Sequence, residues 1–210
     1  MKNFSLLCLT GALLVALPRW SDAQGNREAA KLTRDGAEAI KNKEWDRAVE
    51  LFRKATELDR KNAPGLSAAL QQRATAYETQ QPPQYQKAIE DFTEALDTTP
   101  DDQGIYERRA YAEMRLNDYE RALADYSELI KRKPKEVRYY LYRSYIYELR
   151  AAAADGIADC DKVLQLQPGN AEANARKHRL EAQAQQAAAS VTPAGPIPAP
   201  SQTAAPPKKP

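Results

Sequence analysis

Three arginines and three aspartates recur at a spacing suited to guanidinium–carboxylate chemistry. Arg73, Arg109 and Arg143 are followed by Asp91, Asp125 and Asp159 after eighteen, sixteen and sixteen residues. A guanidinium grips a carboxylate with two parallel N–H donors. Each couple therefore predicts an ion pair joining two neighbouring helices, with an architectural role. The corresponding earlier positions hold Asp35 and Leu51, so no pair is expected there. A second chemistry overlaps the first. Nine of the eleven tyrosines fall between Tyr106 and Tyr147, interleaved with Arg108, Arg115 and Arg138. Tyrosine and arginine are favoured where one protein grips another.

Catalytic chemistry finds little support. The chain has no G-x-S-x-G, no phosphate-binding Walker loop and no H-E-x-x-H. His178 is the single histidine, which removes any His-pair metal site and argues against a Cys–His relay. The acidic pair Asp101-Asp102 sits in a turn and reads as a helix N-cap. Cys160 falls on a core position and reads as a small buried hydrophobe. No enzyme activity, metal or cofactor is expected. The 31 Lys+Arg and 29 Asp+Glu leave a net charge of +2, without the basic excess of a nucleic-acid binder.

The elements that must position these side chains repeat. Ala88, Phe92 and Pro100 recur as Ala122, Tyr126 and Pro134, and again as Gly156, Cys160 and Pro168, at steps of thirty-four residues. Such a period marks a stacked array of identical helical units. Residues 26–189 are rich in helix formers, with apolar residues three or four apart. Breaks are expected at Asn62-Ala63-Pro64-Gly65, Gln81-Pro82-Pro83, Thr99 to Asp102, Lys133-Pro134 and Gln167 to Asn170. Softer ones are expected at Lys41-Asn42-Lys43, Leu116-Asn117-Asp118 and near Asp155-Gly156. The predicted helix pairs are 27–42 with 45–59, 67–80 with 84–98, 103–116 with 119–132, and 137–150 with 154–166, followed by a ninth helix at 171–189.

In each unit the first helix carries a large residue four before a small one: Leu32/Gly36, Leu70/Ala74, Tyr106/Ala110 and Tyr140/Ser144. The second helix pairs a small residue with a larger one: Ala48/Phe52, Ala88/Phe92, Ala122/Tyr126 and Gly156/Cys160. Small residues let the two backbones approach, and large ones fill the flanks.

The flanks differ. Residues 1–23 read as a secretory signal: Lys2, an apolar run from Phe4 to Leu17, the breaker Pro18, then Ser21-Asp22-Ala23 before Gln24. The alternative is a retained anchor, but about fourteen residues span roughly 21 Å against a ~30 Å bilayer core. Cleavage is favoured, leaving no stable membrane span. It would also remove Cys8, so the mature chain has one thiol and no internal disulfide. Residues 190–210 are Pro, Ala, Ser and Thr with Lys208 and Lys209, too poor in bulky apolar residues to fold, and predict a disordered tail.

The repeat resembles the tetratricopeptide-repeat family, whose pattern is W-x2-L-G-x2-Y, A-x3-F and a closing proline over thirty-four residues. The resemblance covers residues 29–170. It implies an all-α, right-handed solenoid: a short lead at 24–28, repeats at 29–62, 67–102, 103–136 and 137–170, and a polar capping helix at 171–189. Departures are Arg60 in place of the proline, extra residues at 63–66, a two-residue insertion in Gln81 to Gln84, and Ala153 and Cys160 in place of aromatics.

The resemblance further implies a concave groove lined by the first helices. Its register points to Thr33, Ala37 and Ile40, then Gln71, Thr75 and Glu78. The later repeats contribute Arg108, Tyr111, Arg115, Arg138, Tyr142 and Tyr145 as a candidate peptide-binding set. Tyr106, Tyr119, Tyr126, Tyr140 and Tyr147 are assigned to the core by register; the remaining tyrosines either serve the groove or merely cover helix surfaces. Members that grip a peptide's C-terminal carboxylates use Lys and Asn where this chain has Thr33 and Ala37, so that mode is not expected. The expected function is a non-enzymatic scaffold, periplasmic or secreted with a bacterial envelope favoured, that binds a protein or peptide partner. The rival reading is a structural self-assembler forming homo-oligomers through its end helices.

Overall fold

The computed structural model describes residues 18–190. Among them every regular element is helical: α1 (Pro18–Lys41), α2 (Trp45–Leu58), a 3-10 turn (Arg60–Asn62), α3 (Ala63–Glu78), α4 (Tyr85–Thr98), α5 (Gln103–Arg115), α6 (Tyr119–Arg132), α7 (Val137–Leu149), α8 (Ala153–Leu166) and α9 (Ala171–Ser190). The fold is all-α and built of helix–turn–helix pairs. The signal segment up to residue 17 and the tail from 191 onward lie outside the described residues. Two compact units divide at Tyr139/Tyr140, inside α7. Among the described residues no helix is long and apolar enough to cross a membrane.

In the first unit α2 packs on both α1 and α3, and α4 on both α3 and α5. The core threads through these contacts as Ala39, Ala48, Val49, Phe52, Leu66, Leu70, Ala74, Ala88, Phe92 and Ile105. Phe52 shows why the small positions exist. A Cβ on Gly36 of α1 would lie 2.9 Å from its ring, and one on Gly65 of α3 would lie 2.4 Å from it. The ring is thus seated between two glycines on two different helices.

That seat corrects the expected break at residues 62–65. Pro64 falls in the first turn of α3, where its missing N–H costs nothing. Gly65 has no positive φ. The four extra residues 63–66 are an additional helical turn and not a linker. Likewise α1 begins at Pro18 and not near residue 27.

The turns inside the helix pairs share one closing bond. Glu44 N–H donates to Ala39 O, Asp118 N–H to Glu113 O and Ala152 N–H to Tyr147 O, each at 2.9 Å and each spanning five residues. This is the Schellman closure of a helix end. In the second pair the same bond, Gln84 N–H to Tyr77 O at 2.9 Å, spans seven, which accommodates the two inserted residues.

The short turns each need a left-handed residue: Lys43 at φ 59°, Asn117 at φ 60° and Ala151 at φ 56°. Asparagine tolerates that region, whereas an ordinary L-residue pays ~1–2 kcal/mol there. Ala151→Gly is therefore expected to stabilise the fold by ~1 kcal/mol, after the added chain entropy of glycine. Urea unfolding checks this, and a midpoint that stays put or falls contradicts it.

In the second unit α8 starts at Ala153, so the break lies at residues 150–152 and not near Asp155-Gly156. Gly156 is helical, and a Cβ there would lie 2.8 Å from Leu180 Cδ1 of α9. Leu180 and Ala173 are fully buried. Arg176 is buried beside them, so the capping helix inserts a charge as well as apolar residues.

Candidate binding surfaces

Helix pairing consumes the first set of charged residues. Arg73 donates through Nε and Nη2 to Asp91 at 2.9 and 2.7 Å. Arg109 does the same to Asp125 at 2.9 and 2.7 Å. Arg143 holds Asp159 at 2.8 and 2.7 Å. The three aspartates are buried. Burial pushes each carboxyl above its ordinary range, against the pull of its arginine. The bonds to the carboxylates hold the arginines protonated more firmly than usual. These six residues join first helix to second.

Glu113 lies beside the middle pair. It is buried, its Oε2 has no partner, and Arg109 Nε stands 4.0 Å from its Oε1. Desolvation, reinforced by the charge of Asp125, pushes its carboxyl up to about 8. One guanidinium thus serves two buried acids.

The candidate groove residues of the first unit have different surroundings. Arg108 pairs with Glu78 at 2.8 Å, bonds Thr75 Oγ1 and lies over the Phe92 ring. Arg138 pairs with Glu107 at 2.8 Å. Tyr139, one of the tyrosines left outside the core set by register, is instead fully buried, and its hydroxyl donates to Glu107 at 2.6 Å. Tyr111 is 49% exposed. Its ring meets Tyr85 edge-on at 6.5 Å, and Arg115 stacks over Tyr85 at 5.4 Å. Among the described residues Arg115 makes no ion pair. Tyr85 was missed as a candidate because its place at the start of a second helix is where packing aromatics recur.

In the second unit Tyr142 and Tyr145 are exposed. Arg176 of α9 lies over the Tyr145 ring at 5.5 Å and donates to Leu141 O, Ser144 Oγ, Glu148 and Glu172. Sequence reasoning passed over Arg176, although it stands two periods of thirty-four beyond Arg108. Cys160 is buried, and burial pushes its thiol up, away from reactivity. Asp102 caps α5, accepting from Gly104 N–H at 2.9 Å.

Residues 107–171 match the Tetratricopeptide repeat family. Solved structures of such repeats share the fold. A tetratricopeptide repeat protein from Parabacteroides merdae is 22% identical with a TM-score of 0.57, aligning 76% of this chain with 61% of that one. This chain thus spans less than two thirds of that protein. YrrB, described as a tetratricopeptide-repeat protein with an unusual peptide-binding site, is 15% identical with a TM-score of 0.53 over 81% of this chain and 86% of its own. The first tetratricopeptide-repeat domain of human RPAP3 is 22% identical with a TM-score of 0.51 over 60% of this chain and 98% of its own. No curated protein sequence matches at a significant level. In tetratricopeptide-repeat register Glu113 occupies the position held by Tyr77 and Tyr147, the second aromatic of the first helix.

Proposed function

We propose that the chain is an exported, non-enzymatic scaffold that binds a peptide segment of a partner through the Tyr85–Tyr111–Arg115 surface of its first unit. The observation that carries this reading is Arg115. Its guanidinium rests on the Tyr85 ring and makes no ion pair among the described residues, while Arg73, Arg108, Arg109 and Arg138 of the same unit are each held by a carboxylate. An arginine oriented by an aromatic face, beside a half-exposed tyrosine, presents N–H donors and a ring to one ligand. The matching segment carries an acidic residue next to an aromatic or proline. The fold likeness to YrrB, with its peptide-binding site, accords with this use of a repeat surface. Export rests on the signal read in residues 1–23 and favours a periplasmic or secreted partner.

Display of random peptides against the full chain tests the reading. Enriched sequences are expected to pair an acidic with an aromatic or proline residue. Tyr111→Ala is expected to weaken their binding about thirtyfold, the ~2 kcal/mol of an interface hot spot. Affinity unchanged by both Tyr111→Ala and Arg115→Ala would exclude this surface.

A further inference from the structure

The second unit carries an exposed stripe of its own. Tyr142, Tyr145 and Leu149 of α7 are 47%, 39% and 47% exposed. Steps of three and four residues place them along one helix face. Arg176, on α9, borders the stripe through its contact with Tyr145. The charges at that border are already matched. Arg176 is held by Glu148 and Glu172, and Arg179 by Glu148 at 2.6 Å. An occupant of the stripe therefore needs apolar surface and no charge.

The chain itself supplies such a segment. Residues 191–207 contain Pro193, Pro196, Ile197, Pro198, Pro200, Pro206 and Pro207 and no charged residue. They follow Ser190, the last residue of α9, the same helix that borders the stripe. We propose that this proline-rich segment docks on the Tyr142–Tyr145–Leu149 stripe, its proline rings lying against the tyrosine faces. Aromatic surfaces accept polyproline-type segments at low entropic cost, because proline fixes the backbone before binding.

Reach and spacing fit. The fourteen residues from Arg176 to Ser190 cover about 21 Å of helix. At about 3.1 Å per residue, eight extended residues span roughly 25 Å, so a segment tethered at Ser190 is long enough to return to the stripe from Pro198 onward. Tyr142 and Leu149 are about 10.5 Å apart along the helix axis, close to the roughly 9.3 Å of one polyproline turn. Tethering raises the local concentration of the segment to the order of millimolar, so a weak contact suffices.

The test uses the full chain and a variant with Pro196, Pro198, Pro200, Pro206 and Pro207 each replaced by serine, all of them positions beyond the end of α9. Aromatic-ring resonances of Tyr142 and Tyr145 are expected to differ between the two proteins, while those of Tyr111 in the first unit coincide. A synthetic peptide of residues 191–207, added to the serine variant at millimolar concentration, is expected to move the same two rings toward their wild-type positions. Coincident Tyr142 and Tyr145 resonances with no response to the peptide would overturn the proposal. So would ring shifts that grow equally with protein concentration in both proteins, which would assign the stripe to a second copy of the chain. Neither result bears on the first unit's peptide surface.

Discussion

Glu113→Gln is expected to stabilise the protein at alkaline pH and leave it nearly unchanged under acid conditions. The folded chain holds the Glu113 proton up to about pH 8, against an ordinary value of 4.5. Between those values the folded state binds a proton that the unfolded chain has released. Stability then falls as pH rises, because the unfolded state binds fewer protons. The contribution is fully present below pH 4.5 and is lost as pH rises through about 8. At 1.36 kcal/mol per pH unit the loss is on the order of a few kcal/mol. The cause is geometric. The carboxyl is buried with Oε2 unpartnered, and Arg109, its nearest cation, is committed to Asp125. The other charged groups acting on it are Asp118, which disfavours its ionisation, and Arg121, which favours it.

Glutamine keeps the shape and cannot ionise. Chemical denaturation at pH 4.5, 7 and 9 should show wild type and Glu113→Gln diverging as pH rises, the variant being the more stable by on the order of a few kcal/mol at pH 9. Glu113→Tyr, the residue type of Tyr77 and Tyr147 at this position, should also lose the slope. Parallel pH profiles for wild type and Glu113→Gln would show that Glu113 ionises in the folded state as it does in the unfolded one.

The repeat was legible because each recurring residue answers a separate physical need. The small residues Ala88, Ala122 and Gly156 allow close helix contact, and Pro100, Pro134 and Pro168 close the units. Glycine and proline misled where one residue type serves two ends. Pro64-Gly65 reads as a break, yet Pro64 starts a helix and Gly65 makes room for the Phe52 ring. Gly156 reads both as a soft break and as the small packing residue of a second helix; it is the latter, helical and leaving room for Leu180. The exposure of Tyr111, Tyr142 and Tyr145 was readable by subtraction, since the repeat register shows which tyrosines packing uses. Tyr139 escaped that subtraction although it stands thirty-four residues beyond the buried Ile105; its hydroxyl finds Glu107, thirty-two residues away on another helix. The fates of Arg108 and Arg138 depended likewise on acids of the preceding first helix, Glu78 and Glu107. Such pairings follow from how neighbouring first helices are set against each other, which a period alone does not specify.

Arg109→Met is expected to be the most damaging single change in the first unit, and Asp125→Leu added to it should undo most of the damage. Alone, Arg109→Met strands Asp125, a buried carboxylate whose side-chain hydrogen bonds both come from Arg109. It also removes the cation nearest Glu113. Breaking one side of a buried pair costs about 3–5 kcal/mol, whereas replacing both partners by apolar residues of similar volume is close to neutral. The reason is desolvation: burying the pair already cost much of what its attraction returns, so removing both charges forfeits little. Urea unfolding of wild type, the single variant and Arg109→Met/Asp125→Leu separates the two effects. A double variant as unstable as the single would mean either that Arg109 acts through its packing and its bond to Thr93 at 3.2 Å, or that the pair itself contributes net stability in holding α5 on α6. A double variant near wild type would leave Glu113 without its like-charged neighbour Asp125 and without its cation. Desolvation, the larger cause of its raised carboxyl, would remain. The alkaline loss of stability should then persist in the double variant and disappear only when Glu113→Gln is added.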